Sequence, residues 1–190
     1  MAAEHNKMSV EQNKMTIEIA DREVIMTRVV NAPRELVFEV WTNAEHLSRW
    51  FAPQGFETTA ETDPRPGGAF RIVMHATEAL PPEFAGDYPM KGIYQEFVPP
   101  ERIVFTSDLS EHSEKWKEQL FEHCGTRGDD ALLSVATVTF DDLGGKTKIT
   151  VRSRFASNAI RDGYVKTGMN EGWEQTFDRL ASLVNDLARQ

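Results

Sequence analysis

The 190-residue sequence predicts an α+β fold: an antiparallel sheet of six or seven strands lying against one long C-terminal helix, with two short helices after the first strand. Three observations predict it. Strand-like stretches between Phe56 and Phe155 follow one another across the turn pairs Gly67-Gly68, Pro99-Pro100 and Gly144-Gly145, the succession of an antiparallel sheet. Near the C-terminus Trp173, Phe177, Leu180, Val184 and Leu187 recur at helical spacing, the stripe of a helix lying on an apolar surface. Between Pro33 and Pro53 two short aromatic segments have helical period and helix-ending residues.

Taken in order, Ile17, Ile19, Val24 and Met26 alternate along Met15 to Val30, a long first strand or a hairpin broken around Ala20-Asp21-Arg22. Pro33 has its φ set for a first helical turn, and Leu36, Val37, Val40 and Trp41 follow at helical spacing. Asn43 caps a second helix carrying Leu47 and Trp50, which Pro53 and Gly55 end. Strands are expected over 56–61, 69–76, 91–98, 102–107, 132–140 and 147–155, and the closing helix over 169–188. The stretch 108–130 is too long for a hairpin turn and reads as an inserted flap, with His112, Trp116, Leu120 and His123 on one helical face.

A chain with 40 % hydrophobic residues can bury one good core, so a single domain over 15–190 is expected, preceded by a polar, aperiodic tail at 1–14. The 21 basic against 30 acidic residues leave a net charge of −9, which repels phosphate backbones and anionic headgroups; neither nucleic acid nor membrane is an expected partner. Cys124 stands alone and cannot form an internal disulfide. The N-terminal residues lack the apolar stretch of a signal peptide, and no apolar run is long enough for a transmembrane helix, so a cytoplasmic location is expected.

The segments NAPRELVFEVWT, EHLSRWFAPQGF, RPGGAF, KGIYQEFVPPERIVFT, VTFDDLGGKTKITV and GWEQTFDRL, in this order and spacing, resemble the bacterial activator-of-heat-shock-ATPase homologue family. That family belongs to the START-like, birch-pollen-allergen superfamily of helix-grip folds, and the resemblance covers about residues 22 to 185. It implies a curved antiparallel sheet wrapped around the C-terminal helix, with a cavity between them. Relatives in the superfamily carry lipids, hormones and polyketides there, and a minority catalyse cyclisation or hydroxylation. Family members of this size are often dimers, so a homodimer is compatible with the resemblance. The chain departs from the family pattern in the 108–130 insertion and in the Pro-rich Leu80-Pro81-Pro82-Glu83.

A strongly bent sheet and a straight helix cannot touch along their whole length, so some inward residues must border empty or wet space. The expected walls are Trp41, Trp50, Phe56, Phe70, Ile72, Met74, Tyr94, Trp173 and Phe177, although any one of these could simply fill the core. Alternation from Tyr94 puts Glu96 inward as a polar anchor; the competing readings are an ion pair with Arg71, Arg102 or Arg152, or a parity that leaves Glu96 in solvent. Trp116 and His123 of the flap are expected to face the ligand, the competing reading being a solvated or core-capping His123. His112, His123 and Cys124 do not match a zinc-ligand spacing, and no metal or cofactor is expected. No GxSxG, HExxH, CxxC or Walker sequence occurs, and Lys146 in the GGK stretch is a turn residue.

The leading expectation is a carrier or sensor of a small apolar molecule. The alternative is a polyketide cyclase-like enzyme using Glu96, Tyr94 and His123 as acid, base or orienting groups. A chaperone ATPase-stimulating module ranks below both.

Overall fold

The computed structural model describes residues 14–189, so the tail expected at 1–14 lies almost wholly outside the described residues. The strands are β1 (Thr16–Ala20), β2 (Glu23–Val30), β3 (Phe56–Thr62), β4 (Ala69–Ala76), β5 (Asp87–Val98), β6 (Arg102–Asp108), β7 (Leu133–Asp142) and β8 (Thr147–Arg154). The helices are α1 (Arg34–Thr42), α2 (Ala44–Trp50), α3 (Glu114–Cys124), α4 (Asn158–Lys166) and α5 (Met169–Leu187). All strands join one antiparallel sheet in the order β1-β2-β8-β7-β6-β5-β4-β3.

Among the described residues the strand count is eight rather than six or seven. Met15 to Val30 is a hairpin: Arg22 takes a left-handed φ of 54°, and Ala20 pairs with Glu23 across the turn. A further difference lies in β5, which begins four residues before the expected Lys91 and includes the buried Pro89 opposite Val73. Proline offers no ladder N–H, and for that reason it reads in sequence as a strand boundary.

Helices α1 and α2 carry the chain from β2 to β3 at the far edge of the sheet. Pro33 stands at the N-cap of α1, and the Asn43 side-chain oxygen accepts from the backbone N–H groups of Glu45 and His46 at 2.9 and 3.2 Å, as its residue type predicts. On the inner face Met26 faces Val151, Val151 faces Val138 and Val138 faces Ile103, a fully buried band across four strands. Phe177, Leu180 and Val184 of α5 lie on it. Arg28, inward on β2 and buried, donates to Asp178 at 2.7 Å and ties that helix to the sheet.

The 108–130 stretch, expected as an inserted flap, packs into the body of the fold. Ser113 caps α3 by accepting from the Trp116 N–H at 3.3 Å, and Gly125 at φ 66° ends it. Leu120 is 0 % exposed and belongs, with Cys124, Ala131 and Leu132, to the central core. Helix α3 packs on α4, which the sequence reading omitted. Ser157 accepts from the Ile160 N–H at 3.2 Å, and Ile160 and Tyr164, four residues apart, are buried. Gly163 lets the two helices touch: a Cβ there would sit 2.7 Å from that of Cys124.

Candidate functional site

A cavity of about 250 Å³ opens between the sheet and the N-terminal half of α5. Packing explains why it lies at this end. Towards the other end the rings of Phe38, Trp41, Trp50, Phe140 and Phe177 fill the gap, with Trp41 4.8 Å from Trp50 and Phe38 5.3 Å from Phe140 between centroids. At the cavity the facing positions are short, with Ser107, Ala136 and Ser153 on the sheet and Gly168 and Gly172 around the start of α5, so the walls stand apart. Trp173 marks the boundary, stacked 6.4 Å from Trp41 on one side and lining the cavity on the other.

Of the residues singled out in the sequence, Ile72, Met74, Trp116 and Trp173 line the cavity. Trp41, Trp50 and Phe177 belong to the plug instead, and the indole N–H of Trp50 donates to the Val40 carbonyl at 3.0 Å. Phe70 packs behind the wall against Tyr94 and Phe105, and Phe56 sits edge-on to Tyr88. Tyr94 turns its hydroxyl to Thr62 at 2.9 Å, away from the cavity.

Glu96 faces outward. The pairing of β5 with β6 shifts between Tyr94 and Glu96, since Tyr94 lies opposite Phe105 and Glu96 opposite Val104. This bulge advances β5 by two residues for one on its partner and so reverses the alternation. Phe97 takes the inward place, 5.3 Å from Phe38, while the Glu96 carboxylate meets Arg102 at 3.3 Å on the surface. His123 also misses the cavity. The buried side of α3 is Trp116, Leu120 and Cys124 at four-residue intervals, which rotates His123 off that stripe.

Sequence reasoning missed much of the lining. Phe51, Tyr88, Met90, Phe105, His112, Phe155 and Tyr164 all contribute, and of these only His112 had been considered, as a metal ligand. Their signal was weak because they come from six separate segments of the chain. No Asp, Glu, Lys or Arg lines the cavity; its titratable groups are His112, Tyr88 and Tyr164. Ser107, Ser134 and Ser153 add polar side chains to the lining.

Two of the lining residues each carry a fully buried polar atom without a protein partner. Tyr164, 6 % exposed, packs its ring 4.8 Å from Phe155 and leaves its hydroxyl without a hydrogen bond. His112, also 6 % exposed, stacks 4.3 Å from Trp116 with Nδ1 unpaired. Burial pushes the His112 pKa down to about 4, helped by the charge of Lys117 and opposed by a hydrogen bond to the Pro89 carbonyl; its ring is neutral at pH 7. Burial likewise pushes the Tyr164 phenol well above its usual range, so it remains a donor.

Elsewhere, Thr59, His75 and Asp87 form a hydroxyl–imidazole–carboxylate line at 3.0 and 2.8 Å, but on exposed side chains outside the cavity. Among the described residues no three His, Cys, Asp or Glu side chains converge as a metal site. No helix among them is long and apolar enough to cross a membrane.

Comparison with known proteins agrees with the architecture. The family described as Activator of Hsp90 ATPase homolog 1-like protein matches residues 31–185. A solution structure from Arthrobacter aurescens superposes with a TM-score of 0.73 at 18 % identity, covering 90 % of this chain and 91 % of that one. A crystal structure from Nitrosomonas europaea gives a TM-score of 0.70 at 22 % identity over 91 % and 100 % of the two chains. An AHSA1 protein from Silicibacter pomeroyi gives 0.62 at 19 % identity over 86 % and 97 %. No curated protein matches the chain. The helix-grip fold is common to these structures.

Proposed function

We propose that this chain, which belongs to the Activator of Hsp90 ATPase homolog 1-like family, holds a small apolar molecule between its sheet and α5 as a carrier or sensor. The observation that carries the reading is the cavity of about 250 Å³, walled by aromatic and aliphatic side chains and free of charged ones. Small-molecule sites are typically concave, mostly apolar and furnished with a few polar groups, and commonly measure ~300–1,000 Å³, so this one suits a compact guest. Trp116 and Trp173 lie in its wall and supply a spectroscopic reporter.

The cyclase-type alternative loses the groups it named, because Glu96, Tyr94 and His123 all lie off the cavity lining. Native mass spectrometry of the purified protein, followed by thermal shift against fatty acids, flavonoids and polyketide-like aromatics, tests the carrier reading. A co-purifying small molecule, or stabilisation by one chemical class that grows with concentration, is expected. Absence of both, with Trp emission unmoved by any compound, would overturn it. Adding the protein to the cognate chaperone should leave that chaperone's ATPase rate unchanged.

A further inference from the structure

The inner face of the sheet changes character from one row to the next. Met26, Val151, Val138 and Ile103 form a band of large apolar side chains, and the next inward positions on β8 and β7 are Ser153 and Ala136, which face each other. Beyond Ala136 on the same face comes Ser134, opposite Ser107 on β6. Alternation places all three serines inward, and all three line the cavity. Residues directly opposite on antiparallel strands stand about 4.5–5.5 Å apart at Cβ, and diagonal ones about 7–8 Å, so the three side chains make one short polar patch.

Short side chains explain the space but not the hydroxyls. Alanine, as at position 136, leaves similar room without taking a polar group out of water. Among the described residues none of the three hydroxyls hydrogen-bonds to another protein group, and none is sealed off as the Tyr164 hydroxyl and the His112 Nδ1 are. Each is therefore open to the space it borders, and for inward side chains between sheet and α5 that space is the cavity. A few open, unpartnered polar groups in an otherwise apolar chamber are what orients a bound molecule.

Their chemistry defines what they receive. A serine hydroxyl carries one donor and two acceptor lone pairs and rotates to suit its partner, so it serves a carbonyl or a hydroxyl equally. A carboxylate or an ammonium would enter a chamber lined by no Asp, Glu, Lys or Arg and would lose its hydration with no opposite charge to replace it. Away from the serines, Met74 and Met90 of β4 and β5 and Met169 and Trp173 of α5 make the lining apolar. Unbranched methionines reshape around a guest, and the indole offers it a flat contact. An apolar cavity of ~150 Å³ accommodates benzene, so about 250 Å³ admits a two-ring frame.

Building on the carrier reading above, we infer that Ser107, Ser134 and Ser153 orient an uncharged guest of about two rings by receiving a carbonyl or hydroxyl oxygen on its polar edge. Its apolar edge lies against the methionines and Trp173. The site selects neutral, oxygen-bearing molecules over acids of similar frame.

The test is equilibrium dialysis of the purified full-length protein, stripped of co-purifying molecules, against 1-tetralone, its parent hydrocarbon tetralin and 1-naphthoate at pH 7.5. Wild type is expected to bind the ketone at least as tightly as tetralin, although the ketone gives up more on leaving water, and to bind naphthoate at least about tenfold more weakly than the ketone. Ser107→Ala, Ser134→Ala and Ser153→Ala each remove one oxygen. At least one of them should weaken tetralone about threefold or more, and the three combined about tenfold, with tetralin binding unchanged or tighter. Ser48→Ala, which removes a hydroxyl bonded to the Ala44 carbonyl at 2.9 Å outside the cavity, should alter neither. The single variants carry the comparison if the triple one does not fold. A ketone-to-tetralin ratio that the substitutions leave unmoved assigns the hydroxyls to bound water alone and overturns this inference while the carrier reading stands; naphthoate binding as tight as the ketone's does the same. Failure of all three probes to bind overturns this inference, and the carrier reading with it where native mass spectrometry and thermal shift are also blank.

Discussion

Replacing Tyr164 by Phe should make the ligand-free protein more stable. The substitution removes only the hydroxyl, and the ring keeps its neighbours Phe155 at 4.8 Å and Trp116 at 6.1 Å. A buried hydroxyl with no partner costs ~1–3 kcal/mol, and its removal returns that amount. For a chain of this size each kcal/mol corresponds to ~2–4 °C in Tm. The same change at Tyr94 should have the opposite sign: its hydroxyl bonds Thr62 at 2.9 Å, so Tyr94→Phe breaks a made hydrogen bond and costs ~0.5–1.5 kcal/mol. Urea unfolding of the stripped protein, with unchanged m-values, reads both differences. A Tyr164→Phe variant destabilised by about 1 kcal/mol or more would show that the hydroxyl has a structural partner.

Three further outcomes are expected. His112 has a folded pKa of about 4 against 6.5 as the reference value, so the unfolded state binds the proton first and stability should fall as pH drops from above 6.5 towards 4. The loss attributable to this ring is about 3 kcal/mol; urea midpoints of wild type and His112→Gln at pH 7.5 and 4.5 isolate it, and equal pH dependence in the two would refute the assignment. Leu120→Ala should cost ~2–5 kcal/mol, and a loss under about 1 kcal/mol in equilibrium unfolding would contradict the core placement of α3. Glu96→Gln should change stability by no more than ~0.5 kcal/mol, because its Arg102 partner is a surface one; a loss above about 1 kcal/mol in urea unfolding would show a buried carboxylate instead.

The sequence made the frame legible because periodicity and capping are local properties. Pro33, Asn43 and the Trp173–Leu187 stripe each signal their element within a few residues. The cavity was legible only in part, since its lining depends on relations between distant segments. Ile72 and Met74 could be placed by alternation along one strand, whereas Glu96 could not, because the bulge that reverses it arises from pairing with β6. Tyr164 went unread for a different reason. It lies on a nine-residue helix whose apolar stripe is little more than Ile160 and Tyr164, and only docking against α3 gives that stripe a purpose.

The end of the cavity that carries His112 is also built by the 108–130 stretch, which the family resemblance marks as an insertion. His112 and Trp116 both lie within the 108–130 insertion, and α3 of that insertion holds Tyr164 through its packing on α4. The start of the insertion is fixed to the sheet by Glu111, which bonds Arg71 on β4 and Lys91 on β5, one residue before His112. Those pairs are exposed and individually weak, but they fix the register of the residue that follows. Helix-grip relatives that lack the insertion would lack His112 and Trp116 at this wall, so the shape and polarity of this end of the cavity are expected to belong to this chain rather than to the fold.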